Sequence, residues 1–496
     1  MNRPKNLQRV RNRTEPWDIV VIGGGATGVG CALDAATRGL DVLLLEQSDL
    51  GSGTSSRSTK LVHGGVRYLA QGNISLVRES LKERGLLLRN APHVVHKQAF
   101  VVPCYSLWQK LFYGSGLKIY DLLSGKFSFG LSRILSKAKT LEHLPSIKKE
   151  KLAGGILYYD GQFDDTRLLI DLARTADAHS AALINYAKVV EMTKDDNGRI
   201  GGVEFEDAES GDVIAVSARA VINATGAFCD AVREISDPEA KPIVTLSQGV
   251  HLVFDGKFLP GSDALMIPKT SDGRVLFCIP WHEHLLVGTT DTPVDIATLE
   301  PHALESEVDF ILETAAAYLS EKPVRSDILS VFAGIRPLVK KGAAKDTASL
   351  SRGHTVEINA SGLVTITGGK WTTYRRMAED AVDQAVRLAG LDARPSETET
   401  LPILGNENDV AGGKKLHPGL PYTREDVVRA VRDEMARNVE DVLARRTRAL
   451  FLNAKAAVEI APIVAEIMAG AFGKDDRWID EQAARFNEVC KSYIVN

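Results

Sequence analysis

The clearest hydrophobic pattern in the chain is a pair of apolar runs, DIVVI at 18–22 and LDVLLLE at 40–46, separated by a glycine-rich turn and an alanine-rich stretch. Continuous apolar runs of this length suit parallel strands buried on both faces. Between them GGGATGVGCALDAATRG has the character of a tight turn followed by a helix, closed by Arg38 and Gly39. Residues 18–46 therefore read as one βαβ unit. Leu76, Leu81, Leu86 and Leu87 among charged residues predict a helix over about 75–98. FDDTRLLIDLARTADAH predicts another, started by Asp164 or Asp165. Residues 186–226 read as strands separated by turns, with Asp196-Asn197-Gly198 as a hairpin turn and AVINATG as a buried strand. Residues 243–370 then carry short alternating strands (VHLVF, VLFCI, HLLVGTT, TVEINA, LVTITGG), interrupted by one helical stretch around 304–319. That pattern predicts an antiparallel-rich unit. The chain returns to a helix at WTTYRRMAEDAVDQAVRLAG, crosses a polar linker over about 391–420, and ends helical, with Thr423 and Asp426 at capping-box spacing.

A chain of 496 residues exceeds what one core fills, so two or three domains are expected. The formal net charge of -4 argues against a nucleic-acid partner. The five cysteines (31, 104, 229, 278, 490) are odd in number, scattered and without a CxxC pair. They argue against a disulfide framework or a metal site and fit a reducing compartment. The first 17 residues are basic and polar and lack the apolar core of a secretory signal. No uninterrupted apolar stretch reaches the ~20 residues of a membrane span. The expected location is inside the cell or on a membrane face.

Gly23, Gly25 and Gly28 form G-x-G-x-x-G between strand and helix, and Glu46 ends the next strand. Glycine lets the backbone approach a pyrophosphate at a helix N-terminus, and an acidic residue so placed accepts from ribose hydroxyls. The fingerprint alone does not separate FAD from NAD. Three features favour FAD: one complete fingerprint in the whole chain, the distant AVINATG strand, and GGKWTTYRRMA (368–378), which puts two glycines between a strand and a helix. A helix N-terminus and Lys370 there suit the negative charge of a reduced flavin. Thr54, Ser55, Ser56, Ser58 and Thr59 form a hydroxyl-rich run able to bond a pyrophosphate or ribityl chain, or to serve as a plain loop.

IGGGATGVGCALDAATRG and GGKWTTYRRMA resemble signature segments of the FAD-dependent glycerol-3-phosphate dehydrogenases. TSSRSTKLVHGGVRYL, FDDTRL, INATG, VGTTDT and AGIRPL follow in that family's order, and the resemblance runs from about residue 17 to the end. It implies an α/β flavoprotein like D-amino-acid oxidase. A Rossmann-like FAD domain is expected from 17–95, 150–235 and 355–390. An antiparallel-sheet substrate domain is expected from 96–149 and 236–354, and an all-α C-terminal domain from 391–496. Ala224, Gly226, Gly369, Lys370 and Thr372 join the cofactor set. The implied reaction moves a hydride from C2 of sn-glycerol 3-phosphate to flavin N5 and passes the electrons to membrane quinone. A dianionic phosphate calls for cationic donors, and Arg67, Arg336, Arg352 and Lys370 stand in matching segments, with Tyr68 as a further hydrogen-bond donor. His63 and His251 are the two candidates near the flavin, and His251 is favoured as base or hydroxyl orienter. Arg57 and Trp371 stand at variable positions and receive no role. An oxidase using oxygen, an amine or amino-acid oxidase, and a flavin-bound protein without turnover are the competing readings.

Residues 105–139 mix Lys110, Lys118, Lys126, Arg133, Lys137 and Lys139 with Trp108, Phe112, Tyr113, Tyr120, Phe127 and Phe129. The composition suits peripheral docking on the inner face of the cytoplasmic membrane. It equally suits a buried helical hairpin with a charged outer face. ARRTR at 444–448 reads as a solvated basic helix face, with a homodimer contact as the lesser reading.

Overall fold

The computed structural model describes residues 1–70, 72–339, 353–405 and 413–495, apart from the side chains of Arg67 and Ala70. The two apolar runs form parallel strands, Trp17–Ile22 and Val42–Leu45, at the centre of an eight-stranded sheet. Val213–Asn223 lies parallel on the other side of Trp17–Ile22, followed by Val364–Gly368. Ala182–Ile184 closes the opposite edge. Helix Ala26–Thr37 covers one face and packs against helices Tyr374–Ala389 and Asp165–Ala178. Val10, Val189, Met192, Val203 and Phe205 pack on the other face, so both faces of the central strands are covered and their residues are apolar without alternation. Each fully buried Val or Leu there contributes roughly 1.5–3 kcal/mol. The hairpin at Asp196-Asn197-Gly198 joins strands Ala187–Lys194 and Ile200–Asp207, with Gly198 at φ +76°.

The second, ten-stranded sheet is largely antiparallel and is built on strand Val244–Asp255, which pairs with Ser330–Val339 and His284–Gly288. Two segments depart from the expected boundaries. Leu61–Val62 and Gly154–Phe163, numbered within the FAD portion, pair in this second sheet. Gly154–Phe163 runs antiparallel to Val95–Cys104 over its whole length and is buried on both faces, so no alternation marks it as a strand. The helix expected over about 75–98 is Ile74–Asn90 and gives way to Val95–Cys104.

The basic N-terminus forms helix Arg3–Arg11, tied down by a 2.5 Å pair between Arg3 and Asp207. The C-terminal portion is helical: Arg424–Asp433 with the Thr423–Asp426 capping box, then a π-helical turn Asp441–Arg446, then Ala454–Phe472 and Asp476–Cys490.

Candidate active site

Gly23 sits at φ +110°, a conformation L side chains rarely adopt. A Cβ on Gly28 would lie 1.9 Å from the Gly23 carbonyl oxygen, so only glycine lets the helix pass this close to the loop. Gly25 has no side chain to cap helix Ala26–Thr37. Ser55 does so from a distance: its hydroxyl accepts the Ala26 N–H at 2.9 Å. The Glu46 carboxylate accepts N–H groups from Gly24 at 2.6 Å and Ser48 at 2.9 Å. Burial pushes its pKa up, while those backbone donors pull it down. The Trp371 indole donates to the Ser55 carbonyl at 2.9 Å and fixes the hydroxyl-rich loop.

These groups border one cavity of about 520 Å³. It is walled by Glu46, Lys188 and Val189, by Ala224 and Gly226, and by Tyr68, Phe100 and Met266. Nothing stands within 4 Å of where a Cβ on Gly53 or Gly226 would sit, so both leave room beside the cavity. Helix N-terminus, acceptor carboxylate and glycine-lined passage fit the pyrophosphate and ribose of a dinucleotide.

The antiparallel sheet supplies cations and imidazole to the same cavity. Arg336 donates to the Gln248 carbonyl at 3.2 Å and the Thr289 hydroxyl at 2.9 Å, with Asp291 at 3.7 Å. Its guanidinium fills the space beside Gly249, where a Cβ would lie 2.0 Å from Nη2. Lys370 donates to the Ser80 hydroxyl at 2.7 Å and stands 4.6 Å from the Tyr68 ring centroid. His251 stacks on Phe332 at 4.9 Å, and its Nε2 lies 2.9 Å from the Thr59 hydroxyl. Burial, with Arg336 and Lys60 nearby, holds its pKa well below the ordinary histidine value. His63 is half-buried on the cavity wall, and its backbone N–H donates to Thr372.

Most of the residues singled out in the sequence line this cavity: Gly23, Gly25, Glu46, Thr54, Ser55, Ser58, His63, Tyr68, Ala224, Gly226, His251, Arg336, Gly369, Lys370 and Thr372. Gly28 and Ser56 do not. Gly28 acts by packing, and the Ser56 hydroxyl turns back to the Gly53 carbonyl at 3.3 Å. The Ser58 hydroxyl donates to Asp165 at 2.7 Å and that of Thr54 to the Ile335 carbonyl at 2.5 Å, so both already have acceptors. Arg352 and the Arg67 side chain lie outside the described residues. Sequence reasoning missed Thr59 as the partner of His251, although it belongs to the hydroxyl run.

ARRTR is not a solvated face. Arg445, Arg446 and Arg448 are buried. Arg446 holds Asp49 through two bonds of 2.6 and 2.8 Å, and Arg445 adds a third at 2.6 Å. Arg448 donates to the Ser56 carbonyl and the Thr166 hydroxyl, each at 2.7 Å, and lies 3.4 Å from Asp165. Asp165 also pairs with the buried Lys60 at 2.6 Å. Arg57 joins the same contact by donating to the Tyr493 hydroxyl at 2.7 Å and pairing with Glu300.

A dinucleotide fingerprint on a parallel sheet, opening onto a cavity whose far wall is an antiparallel sheet, defines a flavin-dependent oxidoreductase. The family described as FAD dependent oxidoreductase matches residues 18–375, and the C-terminal domain of alpha-glycerophosphate oxidase matches 373–478. The human mitochondrial glycerol-3-phosphate dehydrogenase is 41% identical, over 99% of this chain and 75% of its own length. The probable mitochondrial glycerol-3-phosphate dehydrogenase of Caenorhabditis elegans is also 41% identical, again over 99% and 75%. Among solved structures, the glycerol-3-phosphate dehydrogenase of Bacillus halodurans complexed with FAD superimposes with TM-score 0.79 at 28% identity, over 99% of this chain and 98% of that one. Glycine oxidase of Geobacillus kaustophilus shares the fold, with TM-score 0.56 at 18% identity, over 79% of this chain and 99% of that one. The chain belongs to the FAD-dependent glycerol-3-phosphate dehydrogenase family, and FAD is its cofactor.

Proposed function

We propose that this chain oxidises sn-glycerol 3-phosphate to dihydroxyacetone phosphate. The observation that carries the reading is the convergence of Arg336, Lys370, His63 and His251 on the cavity that the fingerprint opens. Arg336 presents a planar fork suited to phosphate oxygens, and Lys370 a point charge. Arg67 and Arg352 are the further phosphate donors this reading calls for. Tyr68, under the Lys370 ammonium, closes that side. FAD, when bound, supplies the hydride acceptor at N5. The C2–H bond breaks with its electron pair leaving as hydride, and the hydroxyl proton goes to a base, giving the ketone. His251 is 2% exposed and engaged with Thr59, which suits orienting rather than accepting the proton. Half-buried His63 is the base in this reading. Adding glycerol 3-phosphate to the purified flavoprotein without oxygen tests the proposal: the flavin bleaches, and a flavin that stays oxidised overturns it.

The electrons pass to membrane quinone, and residues 105–139 place the protein on the inner face of the cytoplasmic membrane. What supports this is helix Leu107–Ser124 and the turn beyond it. Leu107, Trp108, Leu111, Phe112, Ile119, Leu122, Leu131 and Ile134 are exposed, while Tyr120 and Phe129 are buried. Trp108 is 73% exposed and Leu122 81%, an apolar face flanked by lysines that suits an anionic headgroup layer. Among the described residues no helix is long and apolar enough to cross a membrane.

A further inference from the structure

The cofactor loop 49–60 lines the FAD cavity through Gly51–Ser55 and Arg57–Thr59. Its own sequence, small and hydroxylic, offers little apolar burial to hold one shape. Beside its own internal bonds, such as Lys60 to the Ser56 carbonyl, it is fixed by bonds from outside the loop. Asp49, fully buried, stands at its start and receives Arg445, Arg446 and the Asn185 amide. The Ser56 carbonyl, in its middle, accepts from both Arg448 and Lys60 at 2.7 Å. Ser58 is held through Asp165, which Arg448 and Lys60 both face. All three arginines come from one short segment of the C-terminal domain, at the end of the π-helical turn Asp441–Arg446 and just past it. Such turns recur at functional sites because they re-aim side chains within a helix. The segment is braced in turn: Arg445 donates to Glu440 at 2.6 Å and Asp441 at 2.7 Å, and Asp441 accepts from Tyr186 at 2.7 Å.

We infer that Arg445, Arg446 and Arg448 are positioning residues for the flavin site: they lock loop 49–60, so FAD retention is coupled to docking of the C-terminal helical domain. The inference rests on FAD occupying the cavity and not on the identity of the substrate. Several charge-assisted hydrogen bonds, each buried, converge on one loop whose own Ser55 caps the pyrophosphate helix. The charges are balanced locally. Arg445 and Arg446 hold Asp49 down to about 2, well inside the ionised range at neutral pH. Burial raises the pKa of Glu46, the ribose-side carboxylate, with Asp49 adding to the rise and Arg445 opposing it, so the clasp borders the cofactor end of the cavity as well as its loop. Coupling between two sites is reciprocal, so a bound FAD should in turn tighten the C-terminal segment.

The test uses the full-length protein, stripped of flavin and titrated with FAD while flavin fluorescence is followed. In Arg446→Gln and Arg448→Lys the FAD dissociation constant is expected to rise about tenfold or more, the scale of one charge-assisted hydrogen bond. Both melting temperatures should fall, since a buried contact is lost, and that of the FAD-bound protein should fall further than that of the flavin-free protein. An unchanged dissociation constant, with both melting temperatures falling equally, overturns the inference and leaves the triad as cement between domains. Hydrogen exchange on the unaltered protein decides the matter even where a variant fails to fold. FAD binding is expected to slow exchange over residues 441–452 as well as 49–60. Slowing confined to 49–60 overturns the coupling.

Discussion

The imidazole of His251 meets the hydroxyl of Thr59 at 2.9 Å, bringing a strand of the antiparallel sheet onto the cofactor loop 192 residues earlier. Burial and the positive charges of Arg336 and Lys60 keep His251 unprotonated. With its pKa well below the ordinary value, His251 gains a proton only in acid, and its charge does not change between about pH 6 and 8. Flavin reduction by glycerol 3-phosphate is therefore expected to show the same pH dependence over that range in His251→Asn as in the parent. Stopped-flow traces across the range check this. A pH limb present in the parent and lost in His251→Asn contradicts it. Thr59→Val should slow the step about fivefold, the worth of one neutral hydrogen bond.

The site's glycines set a steric limit. Gly28→Ala places a methyl 1.9 Å from the Gly23 carbonyl oxygen, and backbone on both sides cannot step aside cheaply. Overpacking of this kind costs about 1–3 kcal/mol or more. The variant is expected to purify with little FAD and a lowered melting temperature, read from the ratio of flavin to protein absorbance. Full flavin content would show that the loop can open.

Glu46 gives FAD binding a pH dependence. Burial raises its pKa, with Asp49 adding to the rise and Arg445 opposing it. Ribose hydroxyls donating to the carboxylate favour the charged form. The complex then holds fewer protons than the free protein, so FAD affinity rises with pH through the raised value and levels off above it. Titrations of flavin-free protein from about pH 5 to 8 should show that slope, and Glu46→Gln should lose it. Identical slopes in the two proteins would remove Glu46 from ribose contact.

The exposed face of Leu107–Ser124 separates docking from chemistry. Fully burying one such side chain contributes roughly 1.5–3 kcal/mol, so Trp108→Ser with Leu122→Ser should weaken binding to anionic vesicles by tenfold or more. Activity with a soluble electron acceptor should stay within about twofold, since neither residue lines the cavity. Vesicle co-sedimentation reads the first quantity and a dye-reduction assay the second. Equal sedimentation of parent and variant would mean that this face serves something other than lipid.

The fingerprint was legible because its requirements are local: a strand, three glycines and a helix between Trp17 and Thr37, with Glu46 one strand later. Arg336, Lys370 and both histidines were legible through family segments, and the cavity gathers them. What composition left open in 105–139 was orientation. Trp108 and Phe112 face out while Tyr120 and Phe129 face in, so the segment is neither all surface nor all core. The ARRTR segment misled because arginine usually lies at the surface. Its acceptors Asp49, Ser56 and Thr166 lie some 280 to 400 positions earlier, beyond any local pattern. Gly154–Phe163 escaped because Gly154, Gly155, Asp160, Gly161 and Gln162 interrupt its apolar run, so it shows neither alternation nor a continuous apolar stretch.

The reductive half-reaction under nitrogen tests the central claim most directly. The FAD-bound protein is mixed with glycerol 3-phosphate, and with glycerol at the same concentration, while the oxidised flavin band is followed. Bleaching is expected with the phosphate ester. Glycerol should be slower by about a thousandfold, the scale of losing a phosphate's contacts to Arg336 and Lys370. Arg336→Met should bring the two substrates toward the same slow rate. No bleaching with glycerol 3-phosphate, or equal rates with glycerol in the unaltered protein, would contradict a site built to oxidise a phosphorylated alcohol.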